Sequence, residues 1–120
     1  MAEAGVPIEC LTIPIELQKT KHVASDGTEV YKCGLRIGGG IDQDNKKSPY
    51  SYPDTCIYVT HVDPGGPAEL AGIQQHDKIL QVNGVDFTML THDKAIHYIK
   101  KNNKLLLLVS RDGLLGINQR

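Results

Sequence analysis

Two stretches far apart in the chain carry groups that could hold a ligand. The first is Lys32-Cys33-Gly34-Leu35-Arg36-Ile37-Gly38, where a glycine stands at the passage from a loop into alternating apolar residues. Glycine permits a turn that aims successive backbone N–H groups at one point, and such fixed amide dipoles can hold a carboxylate without a cationic side chain. The strand that follows would have an open edge with which an extended peptide can pair. The second stretch begins at His92. At about 100° per residue, His92, Ile96 and Ile99 share one stripe of a helix while Lys94, His97 and Lys101 point elsewhere. One polar group then heads an apolar groove. The imidazole is suited to a Ser or Thr hydroxyl on a tail, and the tail's last side chain to the space between Leu35, Ile37, Ile96 and Ile99. Arg36, between the groove-facing positions, should point out of the groove, either as a solvated strand arginine or toward the ligand's alternate side chains, where it would favour acidic ones.

The same residues admit other chemistries. Cys33 beside inward-pointing amides, with His92 as base, would be a thiol nucleophile, but no residue is evidently placed to orient the histidine. Gly38-Gly39-Gly40 invites a phosphate-loop reading, yet no Gly-Lys-Ser/Thr follows; three glycines more simply let a strand end and a loop begin. His22, His61, His76 and His97 have no shared spacing, and His92 and His97 lie about 140° apart on a helix, so no metal face forms. No metal or cofactor is expected.

Composition narrows the class further. At 120 residues and 40% hydrophobic, the chain is expected to make a single domain over 1–120, its core spanning roughly 8–111 with short terminal extensions. Thirteen basic and fourteen acidic residues leave a formal net charge of −1, so no global field draws the molecule to nucleic acid or an anionic membrane. Leu105 to Val109, the longest apolar run, is too short to span a bilayer, and no basic segment followed by an apolar run opens the chain. Three cysteines (Cys10, Cys33, Cys56) without C-x-x-C spacing suit reduced thiols. The chain reads as cytoplasmic, with access to the nucleus or the membrane through partners.

The elements that must position the site follow from periodicity. Ile8 to Leu17 predicts a first strand with a register slip near Pro14, and Ser25-Asp26-Gly27 a turn, before a loop feeds the strand at Cys33, Leu35 and Ile37. Asp42 to Asp54 reads as a long surface connection in which Tyr50 and Tyr52 are candidate ligand contacts. A third strand covers Cys56 to Val62, and a short helix follows, with Pro67 at its start and Gly72 at its stop. Lys78 to Val82 enters the tight-turn pair Asn83-Gly84, with a brief strand at Val85 and Phe87 beyond it. Thr91 caps a helix from His92 to Lys101, and Leu105 to Ser110 predicts a final strand buried on both faces. The fold class is α+β, mainly β: a curled antiparallel sheet or partial barrel of five to six strands, capped by a short and a longer helix.

Together these features resemble a PDZ domain across nearly the whole chain. The loop x-Φ-G-Φ is Lys32-Cys33-Gly34-Leu35, and the third strand is Ile57-Tyr58-Val59-Thr60. Gly66-Pro67-Ala68-Glu69-Leu70-Ala71-Gly72 and Asp77-Lys78-Ile79-Leu80-Gln81-Val82-Asn83-Gly84 complete the pattern. Ile37-Gly38-Gly39-Gly40-Ile41-Asp42-Gln43-Asp44 and Thr88-Met89-Leu90-Thr91-His92-Asp93 are similar to a small, stand-alone member of that family. The resemblance implies a non-enzymatic module that takes C-terminal tails by strand addition between the family's second strand and second helix. His92 at the helix start implies the Ser/Thr-x-hydrophobic-COOH class. A single-domain member implies a competitor of multi-domain scaffolds in signalling, Wnt and Rho signalling included, with tails of β-catenin, rhotekin, membrane channels and receptors as candidates. Neither nucleic acid nor membrane insertion is implied, and a monomer is expected, with a dimer through the open strand edge as the alternative. Three positions depart from the family pattern: Cys33 and Leu35 are smaller than usual, which implies room for a terminal Leu or Ile over Val, and Ile96 replaces a basic residue.

Overall fold

The computed structural model describes residues 10–44, 46 and 55–112. Eight strands and two helices appear in the order β1 (Cys10–Gln18), β2 (Thr20–Val23), β3 (Glu29–Lys32), β4 (Leu35–Gly38), β5 (Tyr58–Val62), α1 (Pro67–Ala71), β6 (Lys78–Val82), β7 (Val85–Asp86), α2 (His92–Lys101) and β8 (Lys104–Asp112). Six strands form one antiparallel sheet in the order β1-β8-β6-β5-β4, with β7 paired to β6, and β2-β3 make a separate hairpin. β1 and β4 are therefore the two edges of the main sheet.

Local chemistry accounts for most of these boundaries. Asn83 and Gly84 adopt φ of 49° and 81°, the doubly positive turn that matches strand twist and that Asn-Gly tolerates best. Pro67 opens α1 where its missing N–H costs nothing, and Gly72 closes it in the left-handed conformation. The Thr91 hydroxyl accepts the Lys94 N–H at the start of α2. The core gathers inward-facing residues from the strands and α2, among them Leu17, Ile57, Phe87, Ala95, Leu105 and Val109, all buried.

Three expectations are corrected. No register slip occurs at Pro14: β1 pairs with β8 without interruption from Cys10↔Asp112 to Gln18↔Lys104, and Ile13, Ile15 and Leu17 keep one face. An edge strand can absorb a proline because its missing donor can face away from the ladder. Ile8 lies outside the described residues. The final strand is hydrogen-bonded on both sides, by β1 and β6, but covered on one face only: Leu105, Leu107 and Val109 are buried while Leu106 is 53% exposed. The β2-β3 hairpin was not expected at all, since its eight residues are exposed and carry no apolar alternation.

One buried ion pair ties α1 to the sheet. The Arg111 guanidinium donates to both oxygens of Asp77, at 2.8 and 2.6 Å, and to the Gly72 carbonyl at 3.0 Å, while Asp77 also accepts the Gln74 N–H at 2.9 Å. The Asp77 bonds also hold Arg111 above its usual pKa. Asp77 is 1% exposed, so removing it strands a guanidinium and an amide N–H together. Asp77→Ala is expected to lower unfolding free energy by about 3 kcal/mol, measured by urea titration with an unchanged denaturant slope.

Candidate functional site

The loop before β4 is held from behind, and that fixes where its amides point. The Cys33 carbonyl accepts the Ala68 N–H at 3.0 Å, and the Gly34 carbonyl accepts the Asp63 N–H at 2.9 Å. In a trans peptide unit C=O and N–H point in opposite directions, and no peptide here is cis. The N–H groups of Gly34 and Leu35 are thereby turned away from α1 and β5. Leu35 pairs with Val62 as a residue whose own N–H and C=O face the open edge of β4. Gly34 has φ of 78°, and a Cβ there would sit 3.0 Å from the Pro67 ring, so both its conformation and its contact with α1 require glycine.

In front of this loop lies a groove of about 410 Å³ between β4 and α2, and Cys33, Gly34, Leu35, Arg36, Ile37, Ile96 and Ile99 all line it. Leu35, Ile37 and Ile96 are half-buried, Ile99 is buried, and Arg36 is exposed. Gly38 and His92, the remaining site candidates, stand at the far end. There β4 finishes, and the His92 Nδ1 lies 2.8 Å from the Gly39 carbonyl. A carbonyl oxygen only accepts, so Nδ1 is the donor in this contact, and in the neutral ring Nε2 is then the acceptor. A bulge between Arg36 and Ile37 shifts the pairing of β4 with β5.

The thiol and imidazole do not meet. Cys33 precedes β4 and His92 contacts the residue after it, so roughly 13 Å of extended strand separates the two ends. The Cys33 thiol instead approaches the Leu35 carbonyl at 3.9 Å. A Cys33/His92 nucleophile–base pair is ruled out by this geometry.

Gly38, Gly39 and Gly40 do more than end a strand. A Cβ on Gly38 would come within 2.8 Å of Thr60, one on Gly39 within 1.8 Å of the Cys56 carbonyl oxygen, and one on Gly40 within 2.5 Å of the His92 nitrogen. The tract is a close crossing between β5 and the start of α2. Beyond it, Ile41 N–H donates to the Leu90 carbonyl at 2.9 Å and Asp42 Oδ1 accepts the His92 N–H at 3.0 Å. That bond holds the Asp42 carboxyl below its usual pKa, so its contribution is present above the ordinary carboxylate range and lost as pH falls through the lowered value.

Two residues of the site have no place in the sequence-based candidates. Lys19 lines the groove, is 7% exposed, and donates from Nζ to the Ile99 carbonyl at 2.6 Å, which places a cation at the C-terminal end of α2. Burial pulls its ammonium below the usual lysine range. Its signal was present, because position 19 continues the inward alternation of Ile13, Ile15 and Leu17. Asp42 gives no such signal, since its partner lies 50 residues away. Tyr50 and Tyr52 lie outside the described residues.

An edge strand with a backbone anion site at one end, faced across a groove by a helix that opens on histidine, is the architecture of a peptide-capture module. The chain belongs to the PDZ domain family, whose model matches residues 23–110. It is 51% identical over 110 residues to the Tax1-binding protein 3 homolog of Caenorhabditis elegans, a match that covers 92% of this chain and 89% of that protein. It is 44% identical over 114 residues to human Tax1-binding protein 3, covering 92% and 88%. Among solved structures, wild-type TIP-1 superposes with a TM-score of 0.76 at 41% identity, covering 92% of this chain and 96% of that one. PDZ domains are protein-interaction modules that bind C-terminal peptides of other proteins, and the resemblance to a small member of the family agrees with these relatives, which the chain matches over 88–89% of their length.

The glycine crossing is directly testable. Gly39→Ala combines a φ of 86° with a clash against a carbonyl oxygen, whereas Gly27→Ala has a φ of 88° and nothing within 4 Å. Gly27→Ala is expected to cost about 1 kcal/mol and Gly39→Ala about 3 kcal/mol in chemical denaturation, the difference being the crossing itself.

Proposed function

We propose that the groove captures C-terminal tails of the form Ser/Thr-x-hydrophobic-COOH by adding them as a strand to the open edge of β4. The observation that carries this reading is the aim of the Gly34 and Leu35 N–H groups, set by the bonds of the Cys33 and Gly34 carbonyls behind them. A terminal carboxylate sits on those amides, and Lys19 supplies positive charge at the same end of the groove. The tail then runs antiparallel to β4, alternating hydrogen bonds with its exposed edge. Its last side chain enters the space between Leu35, Ile37, Ile96 and Ile99. Two residues earlier, on the same face, a Ser or Thr hydroxyl donates to the bare Nε2 of His92.

A hydroxyl donor satisfies that nitrogen where an isosteric Val cannot, which is why this site selects Ser or Thr over Val. A PDZ match over residues 23–110 and relatives matched over nearly their whole length support the further reading that the chain competes with multi-domain scaffolds for the tails it takes. The open edge of β4 would also serve pairing with a second copy, but a carboxylate site at its end favours a tail.

Calorimetric titration tests this with a peptide ending Thr-x-Leu-COOH, its amidated twin, and His92→Ala. The acid is expected to bind with micromolar affinity, the amide at least tenfold more weakly, and His92→Ala to lose about 1 kcal/mol for the Thr tail. Equal binding of acid and amide would remove the assignment. In the same series, a terminal Leu or Ile is expected to bind more tightly than Val, because Cys33 and Leu35 leave room; a tightest-binding Val would count against that pocket.

A further inference from the structure

We propose that Asp42 is a positioning residue for His92: by capping the first N–H of α2 it fixes the ring orientation and tautomer on which selection of a tail hydroxyl depends. This rests on the reading of His92 given above. Three contacts join the segment 39–42 to the helix start. They are the Gly39 carbonyl with His92 Nδ1 at 2.8 Å, the Leu90 carbonyl with Ile41 N–H at 2.9 Å, and Asp42 Oδ1 with His92 N–H at 3.0 Å. The first orients the ring, but only while Gly39 and the His92 backbone keep their distance. Of the three, Asp42 makes the one contact contributed by a side chain from outside the helix, and it acts on the same residue whose ring the Gly39 carbonyl holds.

The start of α2 is thus capped twice. Thr91, adjacent in sequence, takes the Lys94 N–H at 3.3 Å, and Asp42, 50 residues earlier, takes the His92 N–H. Thr91 alone suffices to begin a helix, but it does not register that helix against the end of β4. Asp42 is the side chain that does so, beside the Ile41–Leu90 backbone bond, and the absence of a side chain on Gly40 allows the two backbones to come close enough. Without Asp42 the Gly39 carbonyl and the imidazole separate, the proton is shared between ring nitrogens, and Nε2 is no longer a fixed acceptor. The other end of the groove is untouched, because the Gly34 loop and the Lys19 bond to Ile99 involve neither residue.

The test compares tails ending Thr-x-Leu and Val-x-Leu against the wild-type chain, Asp42→Ala, Asp42→Asn and the double variant Asp42→Ala/His92→Ala, with ¹⁵N NMR of the imidazole as a second readout. Asp42 is exposed, so the variants are expected to fold. The wild-type chain should prefer Thr roughly fivefold. Asp42→Ala should lose that preference through the Thr tail alone, and Asp42→Asn, whose amide oxygen accepts the same N–H, should retain it. In the His92→Ala background the second substitution should change nothing further. The imidazole nitrogens should be distinct in wild type and Asp42→Asn and averaged in Asp42→Ala. Equal weakening of both tails by Asp42→Ala, or full retention of the preference, would overturn the proposal. If the wild-type chain itself shows no preference, the hydroxyl reading of His92 fails, and the imidazole spectra alone then decide: averaging in Asp42→Ala upholds the positioning role and unchanged spectra overturn it.

Discussion

The site depends on α2 being held to the sheet at its ends while standing off from β4 along its length. At the N-terminal end the Gly39 carbonyl and Asp42 grip His92, and at the C-terminal end the buried Lys19 grips the Ile99 carbonyl. Between those anchors the helix buries Ala95 and Ile99 toward the core and leaves Ile96 half-buried above β4. The gap is the groove. Were the helix packed down along β4, the strand's free N–H and C=O groups would face apolar side chains without partners, at a cost of some kcal/mol each. Held apart, the same groups face the groove, where the proposed peptide strand would pair with them.

The two ends of the groove differ in their electrostatics. At the end by the Gly34 loop, amide dipoles have their direction fixed by hydrogen bonds to Ala68 and Asp63, so the proposed binding of a carboxylate there would need little reorganisation. Lys19 adds a full charge there, but one already engaged with a helix carbonyl and partly desolvated, which suits a stationary electrostatic background. At the other end, the His92 imidazole is oriented by the Gly39 carbonyl against Nδ1. In the proposed mode of binding, affinity comes from the first and discrimination from the second.

Much of this was legible in the sequence, where local chemistry governs. Asn83-Gly84, Pro67 with Gly72, Thr91 before an amphipathic run, and the glycine between Cys33 and Leu35 each have a physical meaning within a few residues, and each sits in the structure where that meaning requires. What was not legible depends on distant partners or on missing contrast. The β2-β3 hairpin buries nothing, so periodicity had no signal to offer. The leucine run of β8 looked doubly buried because nothing in it marks Leu106 as the solvent side. Gly38 to Gly40 read as freedom and turned out to be proximity, since a glycine's contacts belong to its neighbours. Asp42 acts across 50 residues, a separation no local pattern encodes, whereas Lys19 sits on the inward alternation of β1 and only its partner carbonyl, 80 residues away, was out of sight.

The central claim is that the Gly34 and Leu35 amides receive a terminal carboxylate, and amide proton shifts report on it most directly. Titrating ¹⁵N-labelled protein with a peptide ending in a free carboxylate should move the Gly34 and Leu35 N–H resonances strongly downfield, and the amidated peptide should leave them nearly in place. Downfield shifts of the same size with both peptides, or shifts confined to residues away from β4 and α2, would contradict it.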